Sequence, residues 1–148
     1  MVRLTLIVAV LLAVTAATAL AGGSSTWATV NICDTTAHPD EIGIRAAMPA
    51  RHDTTEQLRF RVQYRDLSDG RWKPVLGADS GWRRRRGRGT GWSFEVTGRG
   101  TILRGVVRYR WIRNGHVVRR ARRVTEGGHP QTTGADPEDF SAATCRIE

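Results

Sequence analysis

Lysine is almost missing from this 148-residue chain: of 23 basic residues, only Lys73 is a lysine. Cysteine is scarce too, with Cys33 and Cys145 the whole complement. Two sulfurs with no histidine nearby argue against a structural zinc site, which takes four ligands. Neither Gly-x-Ser-x-Gly nor His-Glu-x-x-His occurs, so two common hydrolase signatures are absent. Beyond Leu20 no stretch repeats its apolar residues with a helical period for longer than one turn. These absences leave a β-built chain, not an enzyme by any motif, that acts by binding or as a structural part.

The N-terminus carries the clearest positive signal. Met1–Arg3 is a short basic start, Leu4 to Leu20 is nearly all apolar or small, and Ala19-Leu20-Ala21 offers small residues for cleavage. That is the layout of a secretory signal peptide. Residues 1–21 are expected to be removed, leaving one domain over residues 22–148. An uncleaved anchor is the competing reading, although the apolar run is short for a span of ~20 residues. With the signal removed, no integral membrane segment is expected. The product would be secreted, extracellular or held at the cell envelope. In such an oxidising compartment Cys33 and Cys145 are expected to form a disulfide; two buried thiols or a metal pair are the alternatives.

Charge is uneven along the chain. Residues 71–123 hold 16 basic side chains against two acidic ones, Asp79 and Glu95, while the segments on either side are net acidic. A basic centre attracts polyanions. Composition offers a second cause. Arg in place of Lys, with abundant Ala, Gly and Val, is what a G+C-rich genome writes.

Period-two patterns dominate after the signal. Trp27–Cys33 reads as a strand whose inward face is ambiguous, with Ala28, Val30 and Ile32 on one side and Trp27 and Cys33 on the other. Ile42, Ile44, Ala46 and Met48 mark a second strand. Leu58, Phe60, Val62 and Tyr64 mark a third, with Arg59, Arg61, Gln63 and Arg65 on its other face. Such alternation suits a sheet with one buried and one wet face. Asp69-Gly70 signals a turn before a short strand at Trp72–Leu76. Trp92, Phe94 and Val96 alternate, as do Val107, Tyr109 and Trp111. Asn114-Gly115 fits a two-residue hairpin returning from His116. A strict register there sets Arg119 opposite Arg110 and Arg120 opposite Tyr109. Opposed like charges are unfavourable, so a bulge or early loss of pairing is expected. Gly127 to Asp139 reads as a loop, and Ala143, Cys145 and Ile147 as the inner face of a last strand. About eight short strands imply an antiparallel sandwich or barrel.

Phe60-Arg61-Val62-Gln63-Tyr64-Arg65, then Asp69-Gly70, then Trp72-Lys73-Pro74-Val75 resembles the C strand, turn and C′ strand of fibronectin type III domains. Tyr109-Arg110-Trp111 resembles their aromatic F strand. The resemblance covers about a third of the chain. It implies an all-β, immunoglobulin-like antiparallel β-sandwich. Trp27 to Asp34 and Ser141 to Cys145 look like the opening and closing of small secreted proteins of high-G+C soil bacteria, a group that brings no function with it. Immunoglobulin domains link strands B and F by their disulfide. Here the pair would link the first strand to the last, so a C-terminal strand added to the sandwich is expected.

Candidate binding residues are arginines. Arg83, Arg84, Arg85, Arg86 and Arg88 form one run and Arg119, Arg120, Arg122 and Arg123 a second. Guanidinium forks grip phosphates and sulfates, and Trp82 and Trp92 flank the first run. The competing reading is a solvated loop, with arginines lying on tryptophan rings of an open sheet face. Five tryptophans at about one per strand are expected in the core. The leading functional reading is a non-catalytic module; the rivals are a polyanion binder for teichoic acid, DNA or acidic polysaccharide, and a small envelope enzyme or inhibitor. An anionic envelope polymer is the candidate partner, with no sequence-specific nucleic-acid recognition. No cofactor and no metal is expected. Glu126, His129 and Asp136 lie in a loop with no helix to align them, and Asp136, Glu138 and Asp139 lack the spacing of a calcium loop.

Overall fold

The computed structural model describes residues 26–148, so the signal-peptide reading of residues 1–21 lies outside the described residues. Eight strands follow in order: β1 (Trp27–Thr35), β2 (His38–Ala47), β3 (Thr55–Arg65), β4 (Trp72–Arg84), β5 (Thr90–Glu95), β6 (Ile102–Arg113), β7 (His116–Val124) and β8 (Cys145–Arg146). They form two antiparallel sheets, a three-stranded one ordered β1-β2-β5 and a five-stranded one ordered β4-β3-β6-β7, with β8 also beside β6. Among the described residues there is no helix.

The alternating strands explain the packing. Ile42, Ile44 and Ala46 of β2 face Leu58, Phe60 and Val62 of β3 and Val107, Tyr109 and Trp111 of β6, all buried between the sheets. Each large side chain removed from water contributes roughly 1.5–3 kcal/mol. The buried polar ends are satisfied: the Tyr109 hydroxyl donates to the Trp27 carbonyl at 2.7 Å and Trp111 Nε1 to the Pro49 carbonyl at 2.9 Å. Gly105 faces Ile44 across the sheets, and a Cβ there would stand 2.7 Å from Ile44 Cδ1 and 2.6 Å from Thr125 Cγ2.

The ambiguity of β1 has a physical reason, because both its faces are buried. Ala28, Val30 and Ile32 join the core. Thr29 and Asn31 are covered by the C-terminal segment, through a 2.8 Å bond between the Thr29 and Ser141 hydroxyls and a 3.0 Å bond from Asn31 Nδ2 to the Gly134 carbonyl. That segment runs along the edge of β1, where Val30 and Ala142 exchange backbone bonds of 2.9 and 3.0 Å, and so covers an edge open to foreign strands. It ends in the added strand. Cys145 pairs with Leu103, and its disulfide to Cys33 (Cα–Cα 5.3 Å) ties the two sheets together. The inner face of this strand is shorter than expected: Cys145 and Ile147 are buried, but Ala143 is exposed, since the chain joins β6 only at Cys145 and Arg146.

Two further expectations need correction. The strand at Trp72–Leu76 does not stop there but continues to Arg84. Gly77 and Gly81 both adopt positive φ, which bends the strand without ending its pairing with β3. In the β6–β7 hairpin the expected bulge is present, with Val118 the extra residue between Ile112↔Val117 and Trp111↔Arg119. It does not separate the like charges, since Arg110 now stands opposite Arg120 and Arg108 opposite Arg122.

Candidate polyanion interface

Side chains of directly paired residues share a face of the sheet, so the register maps the outer face of the five-stranded sheet. One row crosses it as Arg84, Gln57, Arg110, Arg120. The next reads Trp82, Arg59, Arg108, Arg122, and the third Asp79, Arg61, Val106, Val124. Seven arginines therefore meet one carboxylate across three rows. Rows stand about 6.8 Å apart, two residues of antiparallel strand.

Part of this set is braced. Asp79 accepts from Arg59 Nε at 2.7 Å and from Arg61 Nε at 2.8 Å. The bond from Arg59, helped by the Gly81 amide and Arg61, holds its carboxyl well below the usual carboxylate range against the opposing effect of burial. Arg110 donates twice to Gln57 Oε1, at 2.8 and 2.6 Å, and its guanidinium lies 4.0 Å from the centre of the Trp82 ring. One row beyond that of Arg61, Arg104 repeats the device with Gln63 at 2.9 Å and the Trp72 ring at 4.2 Å. Burial, and then Arg122, lower its affinity for its proton. The remaining arginines, Arg84, Arg108, Arg120 and Arg122, are exposed and have no side-chain hydrogen-bond acceptor or ion-pair partner among the described residues.

The two arginine runs do not form two patches. Arg84, Arg120 and Arg122 reach the sheet face. Arg83 turns the other way, onto the Trp92 ring at 3.9 Å, with Nε donating to the Ser80 carbonyl at 2.8 Å. Arg85 is spent on structure, donating from Nε to the Met48 carbonyl at 3.1 Å. Arg86 and Arg88 project from the β4–β5 loop. Arg119 and Arg123 stand opposite Trp111 and Val107, on the inner side of an edge strand. Arg123 there donates to the Thr26 carbonyl at 2.9 Å and Arg119 lies 5.4 Å from the Trp111 ring. Alternation along β7 divides the run between two faces.

The bridge between the runs is the row arginines of β3 and β6, which the sequence marks as a wet face but not as part of a site. The tryptophans also differ from expectation. Trp111 alone is fully buried, while Trp72, Trp82 and Trp92 are half-buried under arginines and Trp27 stacks on His129 with ring centres 4.7 Å apart. A guanidinium over the ring replaces the core neighbours a tryptophan would otherwise need. Asp136 accepts from the Thr35 hydroxyl. Among the described residues no group of three or more His, Cys, Asp or Glu is gathered to hold a metal ion, and no helix is long and apolar enough to cross a membrane.

Comparison with known proteins brings nothing to set beside this geometry: no family model, no curated protein and no solved structure matches the chain.

Proposed function

We propose that the chain is an exported, non-catalytic, fibronectin type III-like module that binds anionic polymers through the outer face of its five-stranded sheet. The observation that carries this reading is the imbalance across three adjacent rows, seven arginines to one carboxylate, with four guanidiniums free of partners. Multiple cations on a flat face release counterions from a polyanion, which makes affinity strongly salt-dependent and weakly sequence-dependent. The other three, Arg59, Arg61 and Arg110, are held by Asp79, Gln57 and Trp82, so less side-chain freedom is lost on binding. The fibronectin type III likeness is supported by β4 lying beside β3 in the same sheet, where the resemblance puts its C′ strand. Export is supported by the leader-like residues 1–21 and by the disulfide, which persists only in oxidising surroundings.

Heparin-column elution tests the face. Arg108→Gln/Arg122→Gln is compared with Arg99→Gln/Arg146→Gln, which removes the same charge away from the rows. Removing one cation that neutralises an anionic group lowers the slope of log K against log salt by about 0.7–0.9. The face variant is expected to elute at clearly lower salt with a slope reduced by about 1.5, while the control shifts little. Equal shifts in the two variants, or none in either, would defeat the proposal.

A further inference from the structure

A second cationic feature lies at the corner where β4 hands over to β5, and most of it is off the sheet face. The sequence there is Arg83-Arg84-Arg85-Arg86-Gly87-Arg88-Gly89-Thr90-Gly91-Trp92. The Arg85 amide bonds to the Glu56 carbonyl at 3.0 Å and the Arg86 amide to Thr90 Oγ1 at 2.9 Å, which closes the loop against the sheets. Inside it is a cavity of about 480 Å³ walled by Arg45, Arg83, Arg84, Arg86, Arg88 and Trp92. No carboxylate lines it.

Two of these arginines are built in rather than loosely displayed. Arg45 reaches the cavity from β2, distant in sequence. A Cβ on Gly89 would come within 3.0 Å of its Nε, and one on Gly91 within 3.2 Å of its Nη1. The two glycines let the guanidinium lie close against the backbone there, where a Cβ would make the end of Arg45 give by a few tenths of an ångström. Arg45 is half-buried, burial weakens its hold on its proton, and it has no side-chain hydrogen bond or ion-pair partner among the described residues. Arg83 is fixed on the opposite wall by Trp92 and the Ser80 carbonyl, both engaged through its ring-facing side and Nε. Its terminal amines make no bond among the described residues. A partly desolvated cation without a counter-charge is unfavourable, and here Arg45 shares one concavity with Arg83, Arg86 and Arg88, while the Arg84 side chain belongs to the sheet face.

We infer that this corner is a discrete site for a compact, polyvalent oxyanion of diphosphate size. Guanidinium forks match the paired oxygens of phosphate groups. The cavity is far larger than one phosphate needs, and four cations exceed the charge of a monoanionic diester. A diphosphate, whether free or terminal on a polymer, satisfies both size and charge. This goes beyond the sheet-face reading, because it names a saturable pocket with a defined stoichiometry.

Titration calorimetry with inorganic pyrophosphate on the disulfide-bonded chain tests it. One equivalent is expected to bind, with inorganic sulfate at least tenfold weaker. Arg86→Gln/Arg88→Gln, confined to the exposed loop, is expected to weaken pyrophosphate at least tenfold. Arg45→Gln is expected to abolish saturation while leaving the melting temperature unchanged or raised, since it removes an unpaired half-buried charge. Arg108→Gln/Arg122→Gln is expected to change pyrophosphate affinity less than twofold, although it shifts heparin elution. Non-saturating heats, or equal losses in the loop and face variants, would overturn the site. If the face variant fails to move heparin elution while pyrophosphate still binds one-to-one, it is the sheet-face reading that falls.

Discussion

Opening the Cys33–Cys145 bond should lower the melting temperature by about 10–20 °C. The crosslink spans 112 residues. Loop-closure entropy for a loop of that length comes to about 4.8 kcal/mol at 25 °C, an upper value because the unfolded chain is not random. A domain of 123 described residues has an unfolding entropy of about 0.26 kcal/mol/K near its midpoint. The quotient is roughly 18 °C, and partial structure in the unfolded chain brings it down. Native packing at the chain ends adds little to this figure, because it survives reduction. Ile147 stays buried, its amide bonded to the Thr101 carbonyl at 3.2 Å, and the Glu148 amide stays on Asp34 at 2.8 Å. Scanning calorimetry of the oxidised chain, the reduced chain and Cys33→Ala/Cys145→Ala reads the shift. Urea titration reads its origin, since releasing the crosslink expands the unfolded state and raises the m-value. A fall under about 3 °C with an unchanged m-value would show that the bond constrains neither state, contrary to the entropy reasoning.

Asp79 offers a test by pH. Its folded carboxyl lies below its ordinary value of 3.8, so its contribution is present above about pH 4 and is lost as the pH falls below that. Asp79→Asn should therefore be less stable than the parent at pH 7, with the gap narrowing in thermal melts as the pH falls below about 4. The same variant frees Arg59 and Arg61 and should elute from heparin at higher salt. Gly105→Ala should cost about 1–3 kcal/mol in urea unfolding, because its Cβ would meet Ile44 and Thr125, both buried; a loss under about 0.5 kcal/mol would mean the sheets can part there cheaply.

The alternation of β3 was legible because one face is core and the other water, and the Asn114-Gly115 hairpin because its turn requires positive φ, which both residues adopt. The length of β4 was not. The alternation ends at Leu76, and only pairing with β3 shows Gly77 and Gly81 as bends inside a strand. With β4 cut short, Arg83 and Arg84 fell into a loop and the row joining Arg84 to Arg110 and Arg120 could not be drawn. Arg45 was invisible as a site residue for the same reason. A single arginine in a strand carries no local signal, and its place beside Gly89 and Gly91 is set by β2–β5 pairing alone.

The register of β6 and β7 leaves arginines directly opposed on the outer face. Without the bulge at Val118, Arg120 would face Tyr109 on the core side. With it, Ala121 takes that place and the charges meet outside. Arg119 and Arg123 do stand on the inner side, opposite Trp111 and Val107, and stay exposed there because β7 is an edge strand. Two guanidiniums about 5 Å apart in water repel by about 0.8 kcal/mol, less once salt screens them. The bulge thus sets Ala121 rather than an arginine against the buried Tyr109, and the outer face tolerates the opposed pairs. It follows that relief of Arg–Arg repulsion contributes little to polyanion affinity, and that counterion release must supply most of it. A face held together this way should lose its ligand steeply as salt rises. The corner pocket, whose Arg45 is partly shielded from water, should hold pyrophosphate at salt concentrations that strip the face bare.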